Sequence, residues 1–254
     1  MIGIVIPAHN EERYLDGCLN AMRLACDHPE LRGESVNVVV VLDHCSDGSR
    51  AIALAHTHAL QGAGFRVEAI EVDARNVGAA RAAGAERLLA HGARWLAFTD
   101  ADTRVAPDWL VAQLRLGADV VCGTVAVDDW AAHHEEPAVL RQHFELTYTD
   151  SDGHRHIHGA NLGVCAKAYR CVGGFTPLAC SEDVALVAAL ERCGATIAWS
   201  AAPRVTTSAR RDARARGGFG DTLIRFATAA TQAALPALPS LPSLPSLPLK
   251  PVTP

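Results

Sequence analysis

The chain has 254 residues, of which 49% are hydrophobic and 20% charged, and its net charge is −5. This composition predicts a globular protein with an ample core, and the acidic balance argues against a nucleic-acid partner. The eight cysteines form no C-x-x-C pair, which argues against a disulfide framework or a structural zinc site. The N-terminus lacks a signal-peptide pattern, and no apolar run reaches the roughly 20 residues of a membrane span. We therefore expect a cytoplasmic protein with no transmembrane segment, for which peripheral membrane contact stays open.

Strand and helix patterns alternate strictly along the first half of the chain. Nearly continuous apolar runs predict buried strands at residues 2–6, 36–42, 65–72, 95–99 and 119–127. Helical spacing of apolar residues predicts intervening helices at about 10–26, 49–60, 79–91 and 107–117, the first with Asn10 as its N-cap. Such alternation predicts right-handed crossovers, and therefore an α/β fold with a mostly parallel central sheet and helices on both faces.

The pattern breaks at Asp128. Residues 128–158 are polar and rich in histidines and acids, which predicts an insertion over the sheet edge with a helix near 138–146. Later patterns predict strands at 162–166 and 196–200, a helix at 182–193 with Ser181 as its N-cap, and a last helix at 219–234. Prolines at every third position predict that residues 236–254 are a low-complexity polyproline II tail, either simply solvated or docking a partner.

Two acids, Asp100 and Asp102, directly follow the predicted strand at 95–99. Open α/β sheets bind ligands beyond the carboxyl ends of their strands. Neighbouring carboxylates there repel each other unless a cation lies between them and a ligand, so the pair indicates a divalent metal with an anionic partner such as a diphosphate. A polar turn that merely ends the strand is the alternative.

The loop after the first strand, residues 7–12 (PAHNEE), contains no glycine. A dinucleotide-binding oxidoreductase would show G-x-G-x-x-G at this position, and a P-loop enzyme would carry Gly-Lys-Ser/Thr. We therefore expect the sheet to bind a nucleotide through side chains and a metal.

Six segments, each at a strand end or helix start, carry a family resemblance. They are residues 6–15 (IPAHNEERYL), 41–49 (VLDHCSDGS), 78–84 (GAARAAG), 100–102 (DAD), 158–161 (HGAN) and 181–184 (SEDV). In these segments, and over about residues 2–200, the chain resembles a family 2 glycosyltransferase with the GT-A fold, a Rossmann-like sandwich. The resemblance implies an inverting transfer of sugar from a nucleotide-diphosphate sugar to a hydroxyl acceptor. It also implies one GT-A domain over residues 1–235, with nucleotide bound by about 1–127 and acceptor by about 128–235.

The resemblance implies a nucleotide pocket lined by Pro7, Ala8 and Glu11, with Glu11 near the ribose or base. Asp43 would accept a hydrogen bond from the base. Arg81, one turn into its helix, would face the same pocket. A solvated helix arginine is the alternative for Arg81.

For the chemistry, the resemblance implies that Asp102 coordinates Mg²⁺ or Mn²⁺ on the diphosphate while Asp100 contacts the sugar or ribose. Asp183 would be the general base that takes the acceptor proton, with Glu182 beside it in the catalytic pair. The alternative for these two acids is a simple preference for a helix N-terminus.

Gly159 and Asn161 would form the floor under the donor sugar, because small residues let a ligand approach the backbone. Many relatives place a histidine after the last strand, where this chain has Arg210 and Arg211. These arginines would hold the diphosphate by bidentate contacts, which puts a strict metal requirement in question. Solvated surface arginines are the alternative.

His154, His156 and His158 alternate, so on a strand they would share one face. A zinc site is one interpretation. Contact with the acceptor, or simple solvation, is the other, because neither a cysteine nor an acid cluster lies nearby to complete a zinc site.

Two rival functions stay open at this stage. A sugar-phosphate nucleotidyltransferase would share the sheet and the metal, but it should carry a glycine-rich basic loop after the first strand, where this chain has residues 7–12. A non-catalytic nucleotide-sugar-binding protein would have no chemical need for both Asp102 and Asp183.

Overall fold

The computed structural model describes residues 1–59, 65–127, 130, 137–208 and 210. The strands are β1 (Ile2–Ala8), β2 (Val36–Asp43), β3 (Phe65–Val72), β4 (Trp95–Phe98), β5 (Thr103–Val105), β6 (Val120–Gly123), β7 (Ala126–Val127), β8 (Leu162–Cys165), β9 (Ile197–Ser200) and β10 (Val205–Thr207). The helices are α1 (Leu15–Cys26), α2 (Ser49–Ala59), α3 (Val77–Ala90), α4 (Trp109–Arg115), α5 (Pro137–Thr147), α6 (Ala166–Cys171) and α7 (Glu182–Arg192), with a 3₁₀ turn at Pro29–Leu31.

Within the described residues, a seven-stranded sheet has the order β3-β2-β1-β4-β8-β6-β9. The pairs β1/β2, β1/β4, β2/β3 and β6/β9 are parallel, whereas β8 runs antiparallel to β4 and β6. The prediction of an α/β fold with a mostly parallel sheet is confirmed. Because β8 is reversed, its first residue Leu162 lies beside Phe98 at the end of β4. The loop before β8 therefore meets the same sheet edge as the loop after β4.

The core lies on both faces of this sheet, as the continuous apolar strands require. Ile4 and Ile6 of β1 pack in one buried cluster with Leu19 of α1. Val5 points to the other face and packs with Leu88 of α3. Burial of each such aliphatic side chain contributes about 1.5–3 kcal/mol, so β1 is stabilised from two sides.

Gly84 lets α3 approach the sheet closely. A Cβ at this position would lie 2.6 Å from Cγ1 of Val5 and 2.9 Å from Cγ2 of Val41. This close packing sets the distance between α3 and the strands. Arg81, three residues earlier in α3, then lies at the sheet edge.

Residues 119–127 form two strands rather than the single one predicted. β6 belongs to the large sheet, and β7 belongs to a second sheet with the order β5-β10-β7. The backbone groups between them are bonded elsewhere: the Thr124 carbonyl accepts from Asn161 Nδ2, and the Val125 amide donates to the Tyr148 hydroxyl. Their ladder bonds are thereby replaced, which separates the two strands.

The first helix begins at Leu15, so the prediction of Asn10 as its N-cap is wrong. Asn10 has a positive φ of 56°, and its side-chain oxygen accepts from the Ser46 amide at 2.8 Å. The Glu11 amide donates to Ser49 Oγ at 2.7 Å. The segment between β1 and α1 is therefore a loop tied to the loop after β2.

Three short elements, β5, α6 and β10, were missed by the sequence patterns. Several predictions lie outside the described residues: positions 128–129 and 131–136 of the insertion, the helix at 219–234 and the tail at 236–254. The helices in the described ranges are all too short or too polar to cross a membrane.

Candidate functional site

The predicted site residues come together at the carboxyl edge of the large sheet. Hydrogen bonds that involve side chains connect the loop after β1 to the start of α2, the end of β2 to the loop after β3, the loop after β4 to α3, and the loop before β8 to the start of α7. The joining pairs are Glu11 with Ser49, Asp43 with Asn76, Asp100 with Arg81, and Gly159 with Asp183.

Asp43, the last residue of β2, is buried and organises the loop before α3. Its Oδ1 accepts from the amides of Ala74 and Arg75 at 2.8 Å, and its Oδ2 accepts from the Asn76 amide at 2.9 Å. A carboxylate offers about four acceptor sites, so one more donor can bind. Contact between Asp43 and a base stays a prediction, and the loop-holding role is an observation.

Arg81 is buried, at 3% exposure, which makes the solvated-arginine alternative wrong. Its guanidinium donates to Asp100 Oδ1 at 2.5 Å and to Glu182 Oε1, and it lies 5.7 Å from the ring centre of Phe175. Burial acts to lower the pKa of Arg81, but Asp100 and Glu182 more than offset this and raise it. Arg81 therefore stays charged and joins the β4 loop to α7.

Glu182 and Asp183, neighbours at the start of α7, have different surroundings. Glu182 is buried against Arg81, and burial raises its pKa although Arg81 opposes the shift. Asp183 is half-buried, with Oδ2 accepting from the Gly159 amide and Oδ1 from the Val184 amide, both at 2.8 Å. Ser181 is the N-cap residue of α7, as predicted, but it has a positive φ of 59° and its side chain makes no capping hydrogen bond.

The two acids after β4 also differ. Asp100 is bonded to Arg81, whereas Asp102 Oδ2 accepts from Ser208 Oγ at 3.3 Å and lies 3.2 Å from Arg210. Burial raises the pKa of Asp102 to about 6, and the charge of Arg210 opposes that shift. The simple polar-turn alternative does not account for the ion pairs of Asp100 with Arg81 and of Asp102 with Arg210.

Arg210 forms a bidentate ion pair with Glu11, with both N···O distances at 2.6 Å. Its guanidinium also lies 5.4 Å from the ring centre of Tyr14. Because its side chain is only 14% exposed and paired, the solvated-surface alternative is wrong for Arg210. Arg211 lies outside the described residues. Sequence reasoning missed Tyr14 and Ser208, because a single tyrosine or serine in a loop carries no spacing signal.

Gly159 is required by the close approach of Arg81. A Cβ at this position would lie 2.3 Å from Nη2 of Arg81. Asn161 is fully buried: its Oδ1 accepts from Trp109 Nε1 at 2.8 Å, and its Nδ2 donates to the carbonyls of Thr124 and Pro203. This position does not fit the predicted contact between Asn161 and a donor sugar, because all its side-chain groups are used inside the protein.

Pro7 and Ala8 end β1 and pair with Val41 and Leu42 of β2. Pro7 is half-buried, whereas Ala8 is buried and its carbonyl accepts from the Cys45 thiol at 3.3 Å. Of the two, only Pro7 has an appreciably exposed side chain. Their predicted contacts with a nucleotide stay predictions.

The three alternating histidines form a row of rings with Tyr148. The ring of His156 stacks on Tyr148 at 4.2 Å between centres, and His158 Nε2 lies 2.9 Å from the Tyr148 hydroxyl. His154 is buried at the far end of the row, against Trp199. Over the described ranges, no group of three histidine, cysteine or acidic residues is arranged to hold a metal, so the zinc interpretation is not supported.

Asp102 fits a metal shared with a substrate better than a metal held by the protein alone. Magnesium is commonly held by one or two carboxylates together with substrate phosphates and water. Asp102 offers hard carboxylate oxygens at the sheet edge, and the described residues supply no three-ligand cage around it. The donor set therefore suits Mg²⁺ or Mn²⁺ brought with a diphosphate.

The family model described as "Glycosyl transferase family 2" matches residues 3–173. The chain belongs to glycosyl transferase family 2. This confirms the predicted family, and the structural neighbours below confirm the GT-A fold. No curated protein gives a significant sequence match.

Solved glycosyltransferase structures share the fold at low sequence identity. S. aureus TarS 1–349 with UDP-GlcNAc matches at a TM-score of 0.59 and 16% identity, over 90% of this chain and 66% of that one. The mannosyltransferase PcManGT from Pyrobaculum calidifontis with GDP-Man and Mn²⁺ matches at a TM-score of 0.59 and 18% identity, over 95% of this chain and 76% of that one. GalNAc-T7 with UDP, GalNAc and Mn²⁺ matches at a TM-score of 0.58 and 16% identity, over 91% of this chain and 47% of that one. The chain thus spans less than two thirds of the TarS fragment and 36% of a longer TarS chain.

Proposed function

We propose that this family 2 member transfers a sugar from a nucleotide-diphosphate sugar to a hydroxyl acceptor, with inversion at the anomeric carbon. The observation that carries the proposal is the position of Arg81 between Asp100 and Glu182. One buried guanidinium fixes the donor-side loop after β4 relative to α7, whose first turn carries the candidate base. Two halves of a transfer site are thereby held in one geometry, and such positioning is a large part of transferase catalysis.

For the donor, the proposal uses the loops after β1 and β2. Pro7, Glu11 and Asp43 stand at these loops, and the remaining acceptor site of Asp43 suits the N–H of a base. The bound nucleotides of the structural neighbours, UDP-GlcNAc in TarS and GDP-Man in PcManGT, support this donor class.

For the diphosphate, we propose that Asp102 holds Mg²⁺ or Mn²⁺ and that Arg210 contributes a second positive group. When bound, the metal neutralises charge on the leaving diphosphate. Mn²⁺ in the PcManGT and GalNAc-T7 structures supports this cofactor class. Asp100, held by Arg81, is oriented toward the sugar or ribose in this proposal.

For the acceptor, Asp183 accepts the hydroxyl proton while the oxygen attacks the anomeric carbon and the nucleoside diphosphate leaves. Asp183 suits this role better than Glu182, because its carboxylate is half-buried and its two hydrogen bonds come from backbone amides. Glu182 is committed to Arg81 and acts as a positioning residue. Asn161 anchors the end of the loop before β8 through its bonds to Trp109, Thr124 and Pro203.

A donor panel tests the proposal. The full chain is incubated with UDP- and GDP-sugars and Mn²⁺, with water or simple alcohols as acceptors, and nucleoside diphosphate release is measured. We expect release from at least one donor and, by NMR, a product of inverted anomeric configuration. Absence of binding and release across the whole panel would overturn the transferase proposal, and a retained configuration would overturn the role of Asp183.

A further inference from the structure

The guanidinium of Arg210 lies between two carboxylates at the sheet edge. It binds both oxygens of Glu11 at 2.6 Å and lies 3.2 Å from Oδ2 of Asp102. The three side chains are 14%, 5% and 12% exposed. Buried carboxylates at this spacing need a counter-charge, and Arg210 supplies it from the chain itself.

A divalent cation bound to Asp102 would be repelled by the positive guanidinium of Arg210 in its present position. Both would place positive charge within about 4 Å of the same carboxylate, where repulsion at a partly buried site is strong. A cation that reaches Asp102 must therefore displace Arg210 or bind weakly. A displaced guanidinium needs another anion, and its planar fork fits a phosphate as well as it fits a carboxylate.

We infer that Arg210 is an exchangeable counter-cation. It neutralises Glu11 and Asp102 before the donor binds, and it transfers to the donor's diphosphate when the metal takes its place on Asp102. This inference rests on the proposed function. It makes metal binding depend on the donor, because the competent state of Asp102 is rare until the diphosphate removes Arg210.

Direct Mn²⁺ binding tests the exchange without any measurement of turnover. Free Mn²⁺ is followed by electron paramagnetic resonance, with and without UDP or GDP, in the wild type and in R210Q. We expect R210Q to bind Mn²⁺ alone at least about tenfold more tightly than the wild type, because the competitor at Asp102 is gone. In the presence of the preferred diphosphate, R210Q should bind Mn²⁺ less tightly than the wild type does.

R204Q is the matched control, since Arg204 is an exposed arginine paired with Asp150 and its loss changes net charge equally. It should bind Mn²⁺ like the wild type, and D102N should remove the gain when added to R210Q. Equal Mn²⁺ affinity of the wild type and R210Q without nucleotide would overturn the exchange. If donor turnover persists in that case, the proposed function survives alone.

Two cysteine thiols outside this site lie against each other. Cys171 ends α6 and Cys193 caps the C-terminal end of α7, and their Sγ atoms are 2.9 Å apart. Both residues are exposed and carry free thiols. A small-molecule oxidant can therefore reach a pair of thiols that is already in contact.

We propose that this pair is a dithiol site for disulfide exchange with a small-molecule disulfide such as oxidised glutathione. One cysteine thiolate attacks a sulfur of the oxidant, which releases one small thiolate and leaves a mixed disulfide. The second cysteine thiolate attacks the mixed disulfide at the protein sulfur and releases the other small thiolate. Two protein thiols lose two protons and two electrons, and the oxidant becomes two thiols. The link ties the end of α7, which begins with Glu182 and Asp183, to α6.

Mass spectrometry of the full chain tests the site. After the C180S variant is treated with oxidised glutathione and excess reagent is removed, the Cys171–Cys193 link should lower the intact mass by about 2 Da. Trypsin cleaves after Arg170, Arg192 and Arg204, so the link should join peptides 171–192 and 193–204. Cys180 shares the first peptide, and it is therefore replaced in a C180S background.

The oxidised C180S protein should melt several degrees above the reduced form, because the closed ring of chain limits the unfolded state. C171S and C193S should each show no link and no such shift. Glutathione adducts on both cysteines without a link, or a link that survives C171S, would overturn the proposal. Neither outcome depends on glycosyl transfer.

Discussion

The Gly159 amide donates a hydrogen bond to Asp183 Oδ2 at 2.8 Å. The candidate base is thereby tied to the loop before β8, and that loop reaches the site because β8 runs against β4. Arg81 lies under the same glycine and is bonded to Glu182, so the base, its neighbour and the loop form one unit.

Replacement of Asp183 by asparagine tests its role as the base. The amide keeps the size and one acceptor oxygen but cannot take a proton, so turnover should fall by about 10²–10⁴-fold. Donor binding, measured by calorimetry, should stay within a few-fold of the wild type. E191Q, on the exposed side of the same helix, is the charge-matched control and should retain turnover. Equal loss of donor binding and turnover in D183N would make Asp183 structural.

Gly159→Ala should destabilise the protein, because the new methyl group meets the pinned guanidinium of Arg81. Overpacking of this kind costs about 1–3 kcal/mol in the free energy of unfolding, measured with urea. Gly17→Ala is the control: it lies in α1 with open space around its Cβ, and it should gain roughly 0.5–1 kcal/mol. A neutral G159A would show that Arg81 has room to move.

The sequence was sufficient for the sheet because its strands are apolar on both faces. Val36, Val38 and Val40 pack on one side of the sheet, while Val39 and Val41 pack on the other. The sequence therefore shows a continuous hydrophobic run, which predicts the strand. The short strands β5 and β10 carry no such run. They form a sheet through pairing with distant residues, and no local pattern encodes that pairing.

The sequence predicts which residues lie at the site but not what each one contacts, because the contacts are made between residues far apart in the chain. Arg81 was expected to face a nucleotide, but Glu182, 101 positions later, buries it. Asn161 was expected under the sugar, but hydrogen bonds to Trp109 and to the Thr124 carbonyl hold its side chain in the core. Arg210 was expected near a diphosphate, but the bidentate pair with Glu11 could not be read from two residues 199 positions apart.

Replacement of Arg81 by methionine should be severe, because it leaves Glu182 buried without its counter-charge. Removal of one partner of a buried ion pair costs about 3–5 kcal/mol in the free energy of unfolding. The double variant R81M/E182Q should recover a measurable part of that loss, since no uncompensated charge then remains at Glu182. R87M on the exposed face of α3, where Arg87 pairs with Glu68, should change stability little. Additive losses in the double variant would argue that the pair is not coupled.

Acid should destabilise the fold through His158. Burial, with the charges of His156 and His154, lowers the pKa of His158 to about 3 in the folded protein. The unfolded chain protonates this residue below about pH 6.5, so the unfolded state binds more protons between pH 6.5 and 3. The free energy of unfolding should therefore fall as pH decreases through this window, with a contribution that approaches about 1.4 kcal/mol per pH unit.

Urea denaturation from pH 7 to 4 should show a shallower acid slope in H158Q, whereas H91Q, an exposed control, should follow the wild type. Parallel slopes for H158Q and the wild type would assign the acid sensitivity to other groups.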